Sequence, residues 1–370
     1  MTFDQLQVTF AHHWLMSMRG GEKTLEAMAG LFPDAPIHAI AGISANLSEG
    51  LKKHAIEYSL IQKLPGSPRF FRAYLPFFPT AIGRMSLPAS DLLISSDANL
   101  IKGVKKPAGS FHLCYCYSPP RYLWMMQDIY LASLPIIYRS FAKRIFSRLR
   151  EYDFKAAQTP DSFVAISNAV SRRIEEYYQR PTDAVIHPPV DIHECHAHAK
   201  RESFYLVVSE LTPYKRVDIA VKACSELKKS LVVIGQGGEL NRLKKMAGPL
   251  VTFMGWQKNH TVRALMARAK AFLFPGEEDF GIAPVEAMAS GAPVIAFGRG
   301  GILDTVIDGK TGILFSHQSS ESMVSAIEKF EKMAGEFSPE LLRSHTKQFA
   351  RSEFQKKLRH FIKNRLNLSD

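Results

Sequence analysis

Phe274-Pro275-Gly276-Glu277-Glu278-Asp279-Phe280-Gly281-Ile282-Ala283-Pro284-Val285-Glu286-Ala287-Met288-Ala289 is the stretch whose reading decides the fold. It leaves a short apolar strand, Ala271 to Phe274, crosses a loop and enters a helix. Pro284 suits the first helical position, where its missing N–H costs nothing. Phe280, Gly281 and Ile282 lead into that helix with free N–H groups, and a helix start of this kind attracts phosphate. Glu278 lies in the loop and Glu286 in the first helical turn, with seven residues between them. The segment therefore offers an anion cradle with a carboxylate on each side. That suits a sugar nucleotide, with amides for the phosphates and carboxylates for hydroxyls at either end. An acid pair at this spacing, taken alone, is more often two solvated side chains on a strand–loop–helix unit.

Working outward, both halves of the chain alternate apolar strands with helices, the pattern of a parallel α/β sheet. The first half offers strands at Leu6–Ala11, Pro36–Ala41, Asp91–Ser95, Phe111–Tyr117, Ser162–Ser167 and Ala184–Pro188. The second offers Phe204–Ser209, Leu231–Gly235, Val251–Met254, Ala271–Phe274, Pro293–Phe297 and Gly312–Phe315. Pro188-Pro189 and the polar run Ile192–Arg201 mark an extended linker between them. The expected organisation is one domain over 1–191, a second over 192–350, and a basic C-terminal helix over 351–370. Ligands of doubly wound sheets bind at the carboxyl ends of the strands. The loops after Ala11, Ser209, Gly235, Met254 and Phe274 are thus the candidate site.

Size and composition agree. A chain of 370 residues exceeds one ordinary core. Apolar content of 46% and charged content of 22% describe a folded, water-facing protein. Met1–Phe10 has no basic n-region, so a secretory signal is not expected, and no apolar run reaches the ~18 residues of a membrane span. Cys114, Cys116, Cys195 and Cys224 suggest no disulfide framework and fit a reducing cytosol. The net charge of +12 calls for an anionic partner. The stretch Ile136–Arg150 interleaves Arg139, Lys143, Arg144 and Arg148 with Ile137, Phe141, Ile145, Phe146 and Leu149 at helical spacing. It fits a core-packed surface helix and a helix docked on anionic lipid equally well. No RNA-binding signature is present, and no nucleic-acid partner is expected.

The string Glu-Asp-Phe-Gly-Ile-Ala-Pro-Val-Glu-Ala-Met-Ala-Ser-Gly, from Glu278, resembles the donor-site signature of the retaining GT-B glycosyltransferases called family 4. The resemblance implies two Rossmann-like doubly wound domains facing each other across a cleft, with the C-terminal helix crossing back to the first. It also implies retention of anomeric configuration, with no cofactor and no metal at the pyrophosphate. In that family the loop after the first strand of the second domain carries an arginine and, five positions later, a lysine, both on the pyrophosphate. Lys215 matches the lysine, but Glu210 stands at the arginine's place, which leaves Arg216 as the candidate second cation. The family resemblance gives Glu278 to the sugar hydroxyls and Glu286 to the ribose. The pyrophosphate falls to Lys215 and the N–H groups of Phe280, Gly281, Ile282 and Ala283. It also brings Gly235, Gly255 and Trp256 to the nucleotide.

The strings His12-His13-Trp14 to Gly20-Gly21-Glu22, Tyr115 to Trp124 and Pro213 to Arg216 narrow the resemblance to the branch with GDP-mannose-dependent O-antigen mannosyltransferases. That branch usually has histidine where Tyr117 stands. His12 is a catalytic candidate and Gly20 and Gly21 are donor-binding candidates, and the acceptor hydroxyl is expected to enter beside them. The expectation is thus a mannosyltransferase at the cytoplasmic face of the membrane. It would act on a saccharide or lipid-linked saccharide in surface polysaccharide or lipopolysaccharide synthesis. The alternatives are a UDP-sugar donor, or a degenerate GT-B protein that binds a nucleotide or glycan without catalysis. A nicotinamide enzyme is disfavoured: Gly235 and Gly237 begin a dinucleotide motif, but Leu240 occupies the third glycine position and the later acidic residue is missing. The run His193-Glu194-Cys195-His196-Ala197-His198 crowds its ligands into a linker, and no metal site is expected.

Overall fold

The computed structural model describes residues 1–132, 134–195 and 201–369. Two compact units form: Met1–Pro188 together with Phe354–Asp370, and Pro189–Glu353.

The first unit holds strands β1 (Val8–His12), β2 (Ile37–Ala39), β3 (Ile56–Tyr58), β4 (Leu92–Asp97), β5 (Phe111–Cys116), β6 (Ser162–Ala165) and β7 (Ala184–Val185). They pair in parallel in the order β3-β2-β1-β4-β5-β6-β7. The second unit holds β8 (Tyr205–Val208), β9 (Leu231–Ile234), β10 (Val251–Gly255), β11 (Ala271–Phe274), β12 (Val294–Phe297) and β13 (Gly312–Phe315). Their order is β10-β9-β8-β11-β12-β13, again parallel. Both sheets are doubly wound Rossmann-like sheets, as expected. Strand order reverses between β1 and β4 in one and between β8 and β11 in the other, so the loops after those pairs diverge and leave a crevice.

The central strands β11 and β12 are buried at every residue, because helices cover both faces of a parallel sheet. That is why they read as unbroken apolar runs. β3 was not foreseen. Its residues are half-buried or exposed at the sheet edge, so no apolar run announces it. β7 stops at Val185, short of the expected Pro188; Pro188 and Pro189 have no N–H to give to a ladder.

The last helix, Arg351–Leu366, buries Phe354, Leu358 and Ile362, the stripe its spacing predicts. Within the first unit, Phe354 packs edge-on against Tyr115, ring centroids 5.8 Å apart. Gln355 Nε2 donates to the carbonyl of Ala27 at 2.8 Å, and Arg359 pairs with Asp4 at 2.9 Å.

One charged cluster lies wholly inside the first unit. Lys102 Nζ sits 2.9 Å from Asp97 and 2.5 Å from Asp153, all three side chains fully buried. Trp124 Nε1 and the Tyr178 hydroxyl each donate to Asp153 at 2.8 Å. Buried charges persist only when paired and hydrogen-bonded in this way. The cluster ties helix Ile136–Ala156, which carries Asp153, to the loop after β4.

Candidate active site

At the switch point of the second unit, the loop after β8 and the loop after β11 leave neighbouring strands. The first carries a single 3-10 turn, Pro213–Lys215. Arg216 then takes a left-handed conformation (φ +52°) and opens helix Val217–Glu226. A non-glycine residue there costs roughly 1–2 kcal/mol, strain of a kind that clusters at functional sites. The second loop holds Gly276 against the first: a Cβ on it would lie 3.0 Å from the carbonyl oxygen of Lys215.

This close approach joins Lys215 Nζ to Glu278 Oε1 in a short ion pair, with only 20% and 14% of the side chains exposed. The two residues singled out in the second half of the sequence, 63 positions apart, are therefore direct partners. Arg216 is held elsewhere. Its guanidinium lies 3.2 Å from Asp218 and 3.5 Å from Gln318, whose amide donates to Pro275 O at 2.9 Å. Glu210, at the place of the family's arginine, is exposed.

Gly281 (φ +92°) turns the chain into helix Ile282–Ala289. The helix thus starts two residues earlier than Pro284 suggested. Pro284 is its third residue, still within the turn whose N–H groups have no intrahelical partner. Glu286 falls in the second turn rather than the first, half-buried. Phe280 is buried against Phe349, ring centroids 5.6 Å apart, while Ile282 and Ala283 are half-buried.

A third loop, after β12, supports Glu278 and was missed in the sequence. Gly301 N donates to Glu278 O at 2.7 Å. A Cβ on Gly300 (φ +84°) would lie 2.5 Å from Glu278 O, and one on Gly301 2.1 Å from Asp279 O. The signal was the run Gly298-Arg299-Gly300-Gly301 straight after an apolar strand.

Gly235 and Gly237 press on backbone. A Cβ on Gly235 would overlap Ser209 O at 1.8 Å, and one on Gly237 Leu211 O at 2.2 Å. These glycines let the start of the Lys215 loop lie flat on the neighbouring turn, where Leu211 N donates to Gln236 O at 2.8 Å. Gly255 (φ +68°) ends β10 past a register shift, and its carbonyl accepts from Gly235 N at 2.8 Å. Trp256 follows with 65% of its surface exposed.

In the first unit, His12 ends β1, and Gly20 and Gly21 open helix Gly20–Ala29. His12 and His13 are buried, ring centroids 4.1 Å apart. Burial, chiefly, lowers the pKa of both, so both are neutral at pH 7. The Tyr117 hydroxyl donates to Gly21 O at 2.9 Å. Its oxygen must then accept from Ser96, 2.8 Å away, and Ser96 Oγ must accept from His12 Nδ1 at 2.9 Å. One assignment of protons satisfies every contact: His12 Nδ1–H to Ser96, Ser96 to Tyr117, Tyr117 to Gly21. It leaves the His12 Nε2 lone pair buried and without a hydrogen-bond partner. Ser96, which no motif marked, is the link.

His196, Ala197 and His198 of the linker run lie outside the described residues. Among the described residues, no three His, Cys, Asp or Glu side chains gather as a metal site. The four cysteines are free and buried. No helix among the described residues is long and apolar enough to cross a membrane.

Two doubly wound parallel sheets in one chain are the fold class of the GT-B glycosyltransferases. The sucrose-phosphate synthase of Thermosynechococcus elongatus has the same fold, with a TM-score of 0.76 over 98% of this chain and 100% of that one at 15% identity. So does HepE of Anabaena, solved in complex with UDP, at 0.73 over 97% and 100% with 16% identity.

Residues 191–352, nearly all of the second unit, match the family model of glycosyl transferases group 1. Over 138 residues the chain is 31% identical to the GDP-mannose-dependent alpha-(1-6)-phosphatidylinositol monomannoside mannosyltransferase of Mycolicibacterium smegmatis. That similarity spans 32% of this chain and 36% of the relative.

Proposed function

We propose that the protein is a retaining hexosyltransferase that moves mannose from GDP-mannose to a saccharide acceptor. The acceptor is lipid-linked, in bacterial surface polysaccharide or lipopolysaccharide synthesis, at the inner face of the cytoplasmic membrane. The observation that carries this reading is the Lys215–Glu278 pair at the carboxyl ends of adjoining strands, just before the helix that starts at Ile282.

In transfer, negative charge grows on the departing diphosphate. Lys215 and the helix-start N–H groups are the preorganised donors for it, and Arg216 joins them only by turning from Asp218, without a divalent metal. Such donors contribute ~3–4 kcal/mol each. An arriving diphosphate takes Lys215 from Glu278, which frees the carboxylate for the sugar hydroxyls. Glu286 is assigned to the ribose and Trp256 to the base. His12 is assigned a catalytic role beside the entering acceptor hydroxyl, and Gly20 and Gly21 are assigned to donor binding. The donor named for the mycobacterial relative supports GDP-mannose. A UDP-sugar is the second reading, favoured by HepE, which was solved with UDP. Glu210 at the arginine's place favours a non-catalytic nucleotide-binding reading, which transfer by the purified protein would exclude.

A thermal-shift panel of GDP, UDP, GDP-mannose and UDP-glucose tests the donor. The true donor at a hundred times its dissociation constant stabilises by ~2.7 kcal/mol. Stabilisation by UDP-glucose and not by GDP-mannose replaces the first reading with the second. No shift with any of the four removes both.

A further inference from the structure

Helix Ile136–Ala156 is built in two halves. Its second half is bolted to the first unit by buried Phe146, Leu149, Asp153 and Ala156. Its first turns bury nothing. Ile136 is 77% exposed, Ile137 75%, Tyr138 57% and Phe141 65%. The helix just before it, Gln127–Ala132, adds Ile129 and Tyr130 at 50% and 43%. Single exposed apolar residues are ordinary; six within thirteen positions form a patch.

Charge completes the pattern. From Ile136 to Arg150 there is no acidic residue. Lys143, Arg144 and Arg148 are exposed and form no ion pair among the described residues. Positions 137, 141, 144 and 148 share one stripe of a 3.6-residue helix. Along it, apolar Ile137 and Phe141 come first, then Arg144 and Arg148. At 1.5 Å per residue, Ile137 and Arg144 are about 10 Å apart along the axis. That matches the ~5–10 Å to which apolar side chains enter a membrane interface while cations stay at the phosphates.

We propose that the Ile129–Tyr130 and Ile136–Phe141 patch, with Lys143, Arg144 and Arg148 behind it, is a docking surface for an anionic lipid bilayer. The apolar end enters the headgroup–acyl boundary, and the cations meet lipid phosphates. A protein partner or a second copy would cover the apolar end but would not call for unpaired cations continuing along the same stripe. The inference deepens the peripheral-membrane reading above and stands apart from the choice of donor.

The test is co-sedimentation of the full chain with phosphatidylglycerol/phosphatidylethanolamine vesicles and with phosphatidylcholine vesicles, at low and at physiological salt. Binding to the anionic vesicles is expected, weakened by salt and at least tenfold weaker on phosphatidylcholine. Ile137→Glu with Phe141→Glu is expected to lower the partition coefficient more than tenfold. Neutralisation by Lys143→Gln, Arg144→Gln and Arg148→Gln together is expected to lower it about a hundredfold, each cation near such a surface contributing roughly fivefold. Leu341→Glu, at an exposed leucine of the second unit, is the control expected to bind as the parent does. In a Tyr138→Trp variant, emission should move to the blue on adding anionic vesicles.

All these side chains are exposed, so circular dichroism of the variants should match the parent. Donor turnover in detergent should also be unchanged, which separates loss of docking from failure of the catalytic reading. Equal binding to phosphatidylcholine, variants that bind like the parent, or a salt-resistant dimer through Phe141 with no vesicle binding would overturn the proposal.

Discussion

Lys215 and Glu278 neutralise each other in a site only partly open to water, and both charges are needed for the proposed chemistry. Lys215→Ala is expected to leave the circular dichroism spectrum unchanged and to reduce transfer at least a hundredfold, the scale of one lost preorganised donor. Turnover within a few-fold of the parent would take Lys215 out of the mechanism. Glu278→Ala should impair transfer more than GDP binding, since the carboxylate is assigned to the sugar. Equal loss in both assays contradicts that role. In the first unit, Tyr117→Phe removes the hydroxyl joining Ser96 to Gly21. The loss of one hydrogen bond costs about 1 kcal/mol, and the proton on His12 Nδ1 is no longer fixed. NMR of the His12 ring nitrogens should then report a mixture of tautomers in place of one.

Among the elements, the loop after β12 matters most to the site without touching a ligand in the proposed mechanism. Gly300 and Gly301 let it lie against the backbone of Glu278 and Asp279. Gly301→Ala must push that backbone away and is expected to cost about 1–3 kcal/mol, read as a lower urea midpoint of the second unit. Transfer should fall further than in a stability-matched core variant, because Glu278 moves with its loop. Gly335→Ala, with open space around its Cβ, is the neutral comparison. The helix Ile282–Ala289 shows what a sequence leaves undecided about an element. Its existence and the alternation around it were plain, but its first residue was not. Pro284 is acceptable anywhere in the first turn, and the left-handed Gly281 set the start. The short β3 at the sheet edge was illegible for a related reason: two half-buried residues flanking an exposed glutamate carry no apolar run.

In the whole molecule, buried histidines make the first unit sensitive to acid. Burial lowers His12 and His13, and takes His112 to about 3. In the unfolded chain these rings titrate near 6.5. Below that pH the unfolded state binds more protons than the folded one, so stability falls as pH falls; above it they contribute no slope. His112 alone should cost about 2 kcal/mol at pH 5 relative to pH 7. Denaturation curves at the two pH values should show the first unit's midpoint moving to lower denaturant, and less so in a His112→Gln variant. A midpoint that does not move would contradict the neutral, buried state of these rings.

The sequence by itself determined two parallel sheets, twelve of the thirteen strands among the described residues, and the candidate roles of Lys215 and Glu278. Strand burial on both faces and glycine at tight turns leave marks in local composition. Only the tertiary structure decided that Lys215 meets Glu278, that Ser96 links His12 to Tyr117, and that Gly300 and Gly301 support the acidic loop. It also decided that Ile137 and Phe141 point to water while Phe146 and Leu149, on the same helix, go to the core. Each of these depends on which strands lie side by side and where a helix leaves its sheet. Distance along the chain does not encode that; packing does.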